Sequence, residues 1–434
     1  MTRVSRLLAV TALTMALAPA PSAAASVSPP PIDSSRLPPS GSARPPRPTE
    51  QRVDCVAVRA ATSAGHVLEG ASAVWPLTRG AGQTVAVIDT GVARHRRLPH
   101  LIPGGDFVST GDGTADCDGH GTIVAGLIGA SPDATDGFAG VAPEATLLAI
   151  RQSSNKFDID GGSAGSGVGD VDTLAAAVRL AADLGATVIT ISSVACLAAD
   201  PGLDDRALGA ALAYAVDIAN AVVVSAAGNV GGPGQCPEQN GADVTVVASP
   251  AWYDDYVLTV GSSRADGSAS EFSLAGPWVD VAAPGENVVS LAAASDGLVD
   301  SSVSGARLSG TSYAAPLVAG LAALVRARHP ELTARQVMTR IEDTARHPAN
   351  GWSPAVGHGV IDVPAAVGGI APEDPARRSP TSTALSGLPI HEVAHATASP
   401  VRAVALCAGL VGAVAILAAA LGRSRSRDDD VADG

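Results

Sequence analysis

At 434 residues the chain is too long for one average domain and suits one large α/β enzyme domain with processed or tethering segments attached. Hydrophobic residues make up 46% of it but aromatics only 3%, so the core must be built from Ala, Val, Leu and Ile. The net charge of −14, with Lys156 the only lysine, excludes a nucleic-acid partner, because phosphate binding needs clustered cations to displace counterions.

Residues 1–25 place Arg3 and Arg6 before an apolar run that ends near Ala18, followed by small residues from Ser22 to Ala25, which is the layout of a cleaved secretory signal. Pro19 and Pro21 interrupt the run, and it is too short to span a bilayer. Residues 26–79 form a Pro-rich N-terminal extension. Its stretch 28–48 is so dense in Pro and Ser that the sequence predicts an extended or disordered segment with no core.

From 80 to 370 the composition is that of a folded domain. Apolar runs at 84–88, 145–150, 187–191, 221–226 and 257–260 read as strands buried on both faces, with helical composition at 172–184 and 205–218 between them. The alternation predicts an α/β fold: a parallel sheet with right-handed crossovers and helices on both faces, and functional groups gathered beyond the carboxyl ends of the strands. The Gly/Ser-rich stretch 161–169 reads as a surface loop bordering that end.

Residues 371–400 form a Pro/Ser/Thr-rich linker. The stretch 401–421 is apolar with one charge, Arg402, at its edge, long enough for a transmembrane helix, and Arg423, Arg425 and Arg427 follow it. Positive residues stay on the cytoplasmic side, so 422–434 is expected inside. That leaves the folded domain outside a membrane which the chain crosses once.

Three segments put reactive groups where this topology would use them. Val85-Ala86-Val87-Ile88-Asp89-Thr90-Gly91 sets a carboxylate at the end of a strand, and Asp118-Gly119-His120-Gly121-Thr122 sets an imidazole before the helical run 123–129. Leu308-Ser309-Gly310-Thr311-Ser312-Tyr313-Ala314-Ala315-Pro316 sets a hydroxyl at a helix start, where unpaired N–H groups can stabilise a developing oxyanion. Pro316 is expected in the first helical turn, where a missing N–H costs little. A serine hydroxyl needs a base to become a nucleophile. His120 is the candidate base, and Asp89 would fix its tautomer and stabilise its charged form. A fourth segment, Val222-Val223-Val224-Ser225-Ala226-Ala227-Gly228-Asn229, ends in an amide that can donate to the same oxyanion. Singly these segments are ordinary strand-end turns and helix caps; their joint order Asp, His, Asn, Ser is what points to nucleophilic catalysis.

On these residues the chain resembles the subtilisin-like serine peptidases over about residues 80–365, closing with Gly357-His358-Gly359-Val360-Ile361-Asp362. The resemblance implies a serine endopeptidase acting on polypeptides through an acyl-enzyme, with Asp89, His120 and Ser312 catalytic and Asn229 and Ser312 forming the oxyanion hole. It also implies that Ser192, Ser193 and Val194 pair with substrate backbone as an added strand and that Gly228 borders the substrate. No cofactor is expected; subtilisins often hold calcium, but this sequence shows no oxygen-ligand cluster with the loop spacing of a calcium site, and no metal ligand is assigned. Tyr313 departs from the Met or Phe usual after the nucleophile. Signal, Pro-rich arm, one domain, linker and single span together resemble the mycosins, membrane proteases of type VII secretion systems. Such a secretion complex is therefore an expected partner, and a mainly structural role within it is the alternative reading.

Cys407 lies in the apolar stretch 401–421, and the other four cysteines leave three pairings open. Cys196 and Cys236 each follow the end of a strand on the same edge of the expected sheet. Resemblance to the mycosins implies Cys196 with Cys236 and Cys55 with Cys117, the latter stapling the N-terminal arm beside His120 as a permanent extension. His391-Glu392-Val393-Ala394-His395 matches a zinc-peptidase pattern, but it lies in the linker with no third ligand nearby and reads as a chance match.

Overall fold

The computed structural model describes residues 27–369, apart from 58–59, 62–67, 163–164, 200–203 and 233–234. The signal, the linker with His391 and His395, Cys407 and the apolar stretch 401–421 lie outside the described residues. Among the described residues no helix is long and apolar enough to cross a membrane.

The chain runs β1 (Thr49–Gln51), α1 (Ala71–Val74), β2 (Thr84–Asp89), β3 (Leu101–Asp106), α2 (His120–Gly129), β4 (Thr146–Arg151), β5 (Phe157–Ile159), α3 (Val171–Asp183), β6 (Val188–Ile191), β7 (Ala195–Ala198) and α4 (Arg206–Ala213). It continues with β8 (Val222–Ala226), β9 (Val246–Ser249), β10 (Leu258–Ser263), β11 (Val281–Pro284), β12 (Ser290–Leu291), β13 (Leu298–Val299), α5 (Thr311–Arg328), α6 (Ala334–Asp343) and α7 (Val363–Gly368).

Seven strands form one parallel sheet in the order β11-β10-β8-β6-β2-β4-β3. The five apolar runs of the sequence are its five inner strands. Every residue of β6, β8 and β10 is buried, as continuous Val, Ile and Ala runs require when helices cover both faces. The helices pack as pairs, α2 with α5 and α3 with α4, and α5 runs along β6, β8 and β10. The expected helix 205–218 is α4 continued by a π-helical turn over Tyr214–Ile218.

The two strands that the apolar pattern does not reveal are the two edges. β3 reads Leu-Ile-Pro-Gly-Gly-Asp and shifts register between Pro103 and Gly105. Proline lacks a ladder donor and glycine often marks a bulge, and both are tolerated where only one neighbour must be satisfied. At the other edge β11 is only four residues long and ends in proline.

Two expectations need correction. Pro316 is not in the first turn of its helix: α5 begins at Thr311, so Pro316 is inside it and forgoes the bond that would run to the Ser312 carbonyl. The N-terminal extension is extended in part, as its Pro content dictates, but it is docked on the domain. Val27, Leu37 and Ala43 pack against the main core, β1 pairs antiparallel with β5, and α1 buries Ala71 and Val74 against α7. A Pro-rich segment needs no core of its own when it lies against an apolar surface that already exists.

Candidate active site

The site forms where β2, β8 and the starts of α2 and α5 meet. Asp89 ends β2 with no exposed surface, and the turn after it is pressed against α2. A Cβ on Gly121 would collide with the Gly91 carbonyl oxygen, so glycine is required immediately after His120. His120 is the first residue of α2. Its Nδ1–H donates to Asp89 Oδ1 at 2.7 Å, and its Nε2 lies 3.0 Å from Ser312 Oγ. Asp89 Oδ1 also accepts the Thr90 N–H at 2.8 Å, while Oδ2 is buried with no partner among the described residues. Ser312 is the second residue of α5, and the packing of α5 on α2 brings its hydroxyl to the Nε2 side of the imidazole.

Enclosure alone would lower the imidazole pKa, but the charge and hydrogen bond of Asp89, joined by the charges of Asp116 and Asp118, outweigh it and the net shift is upward. The Tyr313 ring sits 5.3 Å from the imidazole, tilted by 38°, and so packs on the base.

Asp116 was not apparent as part of this arrangement from sequence. Its carboxylate accepts Thr90 Oγ1–H at 2.9 Å, the Gly119 N–H at 2.7 Å and both the N–H and hydroxyl of Thr122, at 2.8 and 2.6 Å, tying the loop before His120 to the turn after Asp89. Burial pushes its pKa up to about 6 against the pull of the Thr122 and Thr90 hydrogen bonds.

Asn229 follows β8. Its Oδ1 accepts the Thr311 N–H at 2.9 Å and the Thr311 hydroxyl at 3.1 Å, which fixes the amide with Nδ2 on the other side, unbonded among the described residues. The point where a Gly310 Cβ would stand is 3.1 Å from Ser312 Oγ and 3.5 Å from Asn229 Nδ2, so both groups converge beside Gly310. The N–H groups of Thr311 and Tyr313 are taken by Asn229 and by the Gly310 carbonyl, which leaves the Ser312 N–H between them. Thr311 thus orients the amide. The Gly-Thr-Ser motif contained it, but nothing in the sequence distinguished it from a spacer.

These groups open into a cleft of about 500 Å³. Ser192, Ser193 and Val194 line one wall, and Ser153, Ser154, Asn155 and Lys156 line another. The Ser192 hydroxyl is buried without a partner among the described residues. Asp118 braces the second wall by accepting Ser154 Oγ–H at 2.5 Å and the Asn155 N–H at 2.8 Å.

Gly228 is the one expected substrate-binding residue that does not line the cleft. The reason is steric: a Cβ there would stand 3.0 Å from Cys236 Sγ and 3.4 Å from Cys196 Sγ, so the Cys196–Cys236 disulfide covers the residue. Its N–H donates to Thr311 Oγ1 at 3.2 Å and its carbonyl accepts the Leu274 N–H at 3.0 Å. The second disulfide joins Cys55 to Cys117. Beside it the Val56 N–H donates to the Cys117 carbonyl at 2.9 Å, and Val56 contributes to the cleft. Among the described residues no group of His, Cys, Asp and Glu side chains is arranged to hold a metal ion.

The subtilase family pattern matches residues 80–359. Mycosin-4 of Mycobacterium tuberculosis is 59% identical over 396 residues, covering 86% of this chain and 87% of that protein. The solved structure of the MycP3 protease from the type VII (ESX-3) secretion system superposes with a TM-score of 0.71 at 46% identity, covering 79% of this chain and 99% of that one. A chain in the structure of an intact ESX-5 inner membrane complex gives a TM-score of 0.74 at 38% identity, covering 92% of this chain and all of that one. With this likeness spanning the sheet, the reactive groups and the N-terminal arm, the chain belongs to the subtilase family of serine peptidases and, within it, to the mycosin type.

Proposed function

We propose that the protein is a membrane-anchored, extracytoplasmic endopeptidase in which Ser312 attacks the substrate carbonyl while His120 Nε2 takes the hydroxyl proton. The bond to Asp89 keeps the Nδ1–H tautomer and stabilises the imidazolium. The tetrahedral oxygen is received by Asn229 Nδ2 and the Ser312 N–H. His120 then returns its proton to the leaving amine, giving an acyl-enzyme that water hydrolyses with His120 again as base. Ser192, Ser193 and Val194 offer one edge for the substrate backbone.

The observation that carries this reading is the unbroken pair of hydrogen bonds from Asp89 through His120 to Ser312, at 2.7 and 3.0 Å. The proposed chain organisation is a signal at 1–25, an extension at 26–79 that stays attached, a peptidase domain at 80–370, a linker at 371–400, a membrane span at 401–421 and a cytoplasmic tail at 422–434. The apolar composition of 401–421 and the arginines after it support that topology. The likeness to a chain of an ESX-5 inner membrane complex supports placement at a type VII secretion complex.

A fluorophosphonate probe tests the chemistry on the full-length chain. Wild type is expected to be labelled at Ser312 and Ser312→Ala is not; absence of label on folded wild type would overturn the assignment. The same likeness favours a second reading, in which the protein chiefly stabilises the secretion complex. Secretion that survives Ser312→Ala but fails when the whole protein is deleted would select it.

A further inference from the structure

We propose that the Cys196–Cys236 disulfide is the floor of the pocket for the residue preceding the scissile bond, and that it restricts that residue to Gly, Ala or Ser. The inference rests on the assignment of Ser312 and Asn229 made above. With the attacked carbon at Ser312 Oγ and its oxygen turned to Asn229 Nδ2, the preceding side chain enters the space between the 192–194 wall and the segment 228–229. Gly228 contributes no side chain to that space. The two sulfur atoms fill it instead, at 3.0 and 3.4 Å from where a Cβ would be, and both cysteines line the cleft beside Val194 and Gln235.

The floor is held on both sides. The Cys236 N–H donates to the Asn229 carbonyl at 2.8 Å, and Cys196 lies in β7, paired with Ala248 of β9. Cys236 is itself buried. A sulfur floor fixed to the same residue that supplies the oxyanion donor cannot retreat for a larger side chain without moving Asn229. The pocket therefore discriminates by size.

The test uses the full-length chain and peptidyl diphenyl phosphonates that differ only in the side chain entering this pocket: Ala, Leu or Phe. Ser312 Oγ displaces phenoxide from phosphorus and its proton passes to His120, so the second-order inactivation rate reads the fit of that side chain. In wild type, Ala is expected to exceed Leu and Phe by at least about 10-fold, the scale on which extra methylenes are discriminated. In Cys196→Ala/Cys236→Ala the Ala-to-Leu ratio is expected to fall about 10-fold or more, because the larger reagents gain access.

A loss of bridge that slowed all three reagents equally would mark a purely structural role and overturn the proposal. Wild type that reacts equally with all three, or faster with Leu or Phe, would overturn it without recourse to the variant. The fluorophosphonate probe separates the two assignments: labelled wild type with no size preference defeats this inference alone, and unlabelled wild type defeats both.

Discussion

The two disulfides close loops of similar length and both lie beside one cleft. Cys55 and Cys117 are 62 residues apart and Cys196 and Cys236 are 40 apart, so the chain-entropy relation assigns each about 4 kcal/mol. By that measure they are interchangeable. By position they are not: the first ties the N-terminal arm beside His120, and the second lies over Gly228 next to Asn229. Cross-links of equal thermodynamic weight can therefore serve unlike purposes, one retaining a segment and the other shaping a pocket.

Three measurements would break or sharpen that contrast. The largest effect is expected from Asn229→Ala on the Ser312 side, which should lower kcat by roughly 10²–10³-fold with little change in KM, because the donor acts on the developing oxyanion. Steady-state kinetics on a fluorogenic peptide checks it, and a rise in KM alone would remove Asn229 from the oxyanion role. Next, Cys55→Ser/Cys117→Ser should lower the free energy of unfolding by about 4 kcal/mol without altering the Ala-to-Leu preference. Denaturant titration and the phosphonate series are read together; a changed preference would erase the distinction between the bridges.

The smallest effect is a shift in pH dependence. His120 must be neutral to accept the Ser312 proton, and its pKa is raised, so activity should fall on the acid side from a point above the ordinary imidazole value. Asp118 contributes to that rise, so Asp118→Asn should move the acid limb of kcat/KM to lower pH. An unmoved limb would show that its charge does not reach the imidazole.

Much of this arrangement was legible in the sequence, and what was not has a common cause. The five inner strands were readable because burial on both faces writes a continuous apolar run, whereas β3 with Pro103 and Gly104 carries no such signature. Asp89, His120, Asn229 and Ser312 stood out in the sequence because each ends a strand, follows one or opens a helix. The covering of Gly228, the orientation of Asn229 by Thr311 and the docking of residues 27–57 were not. Each of these depends on a contact between segments far apart in the chain, and no local pattern encodes it.

Lys156 has a practical consequence. It is the only lysine in all 434 residues, and it lines the cleft. Amine-directed reagents therefore have a single side-chain target, which borders the cleft. A fluorophore attached there through an amide would report occupancy of the cleft from one defined position, with the α-amino group as the only competing site of attachment.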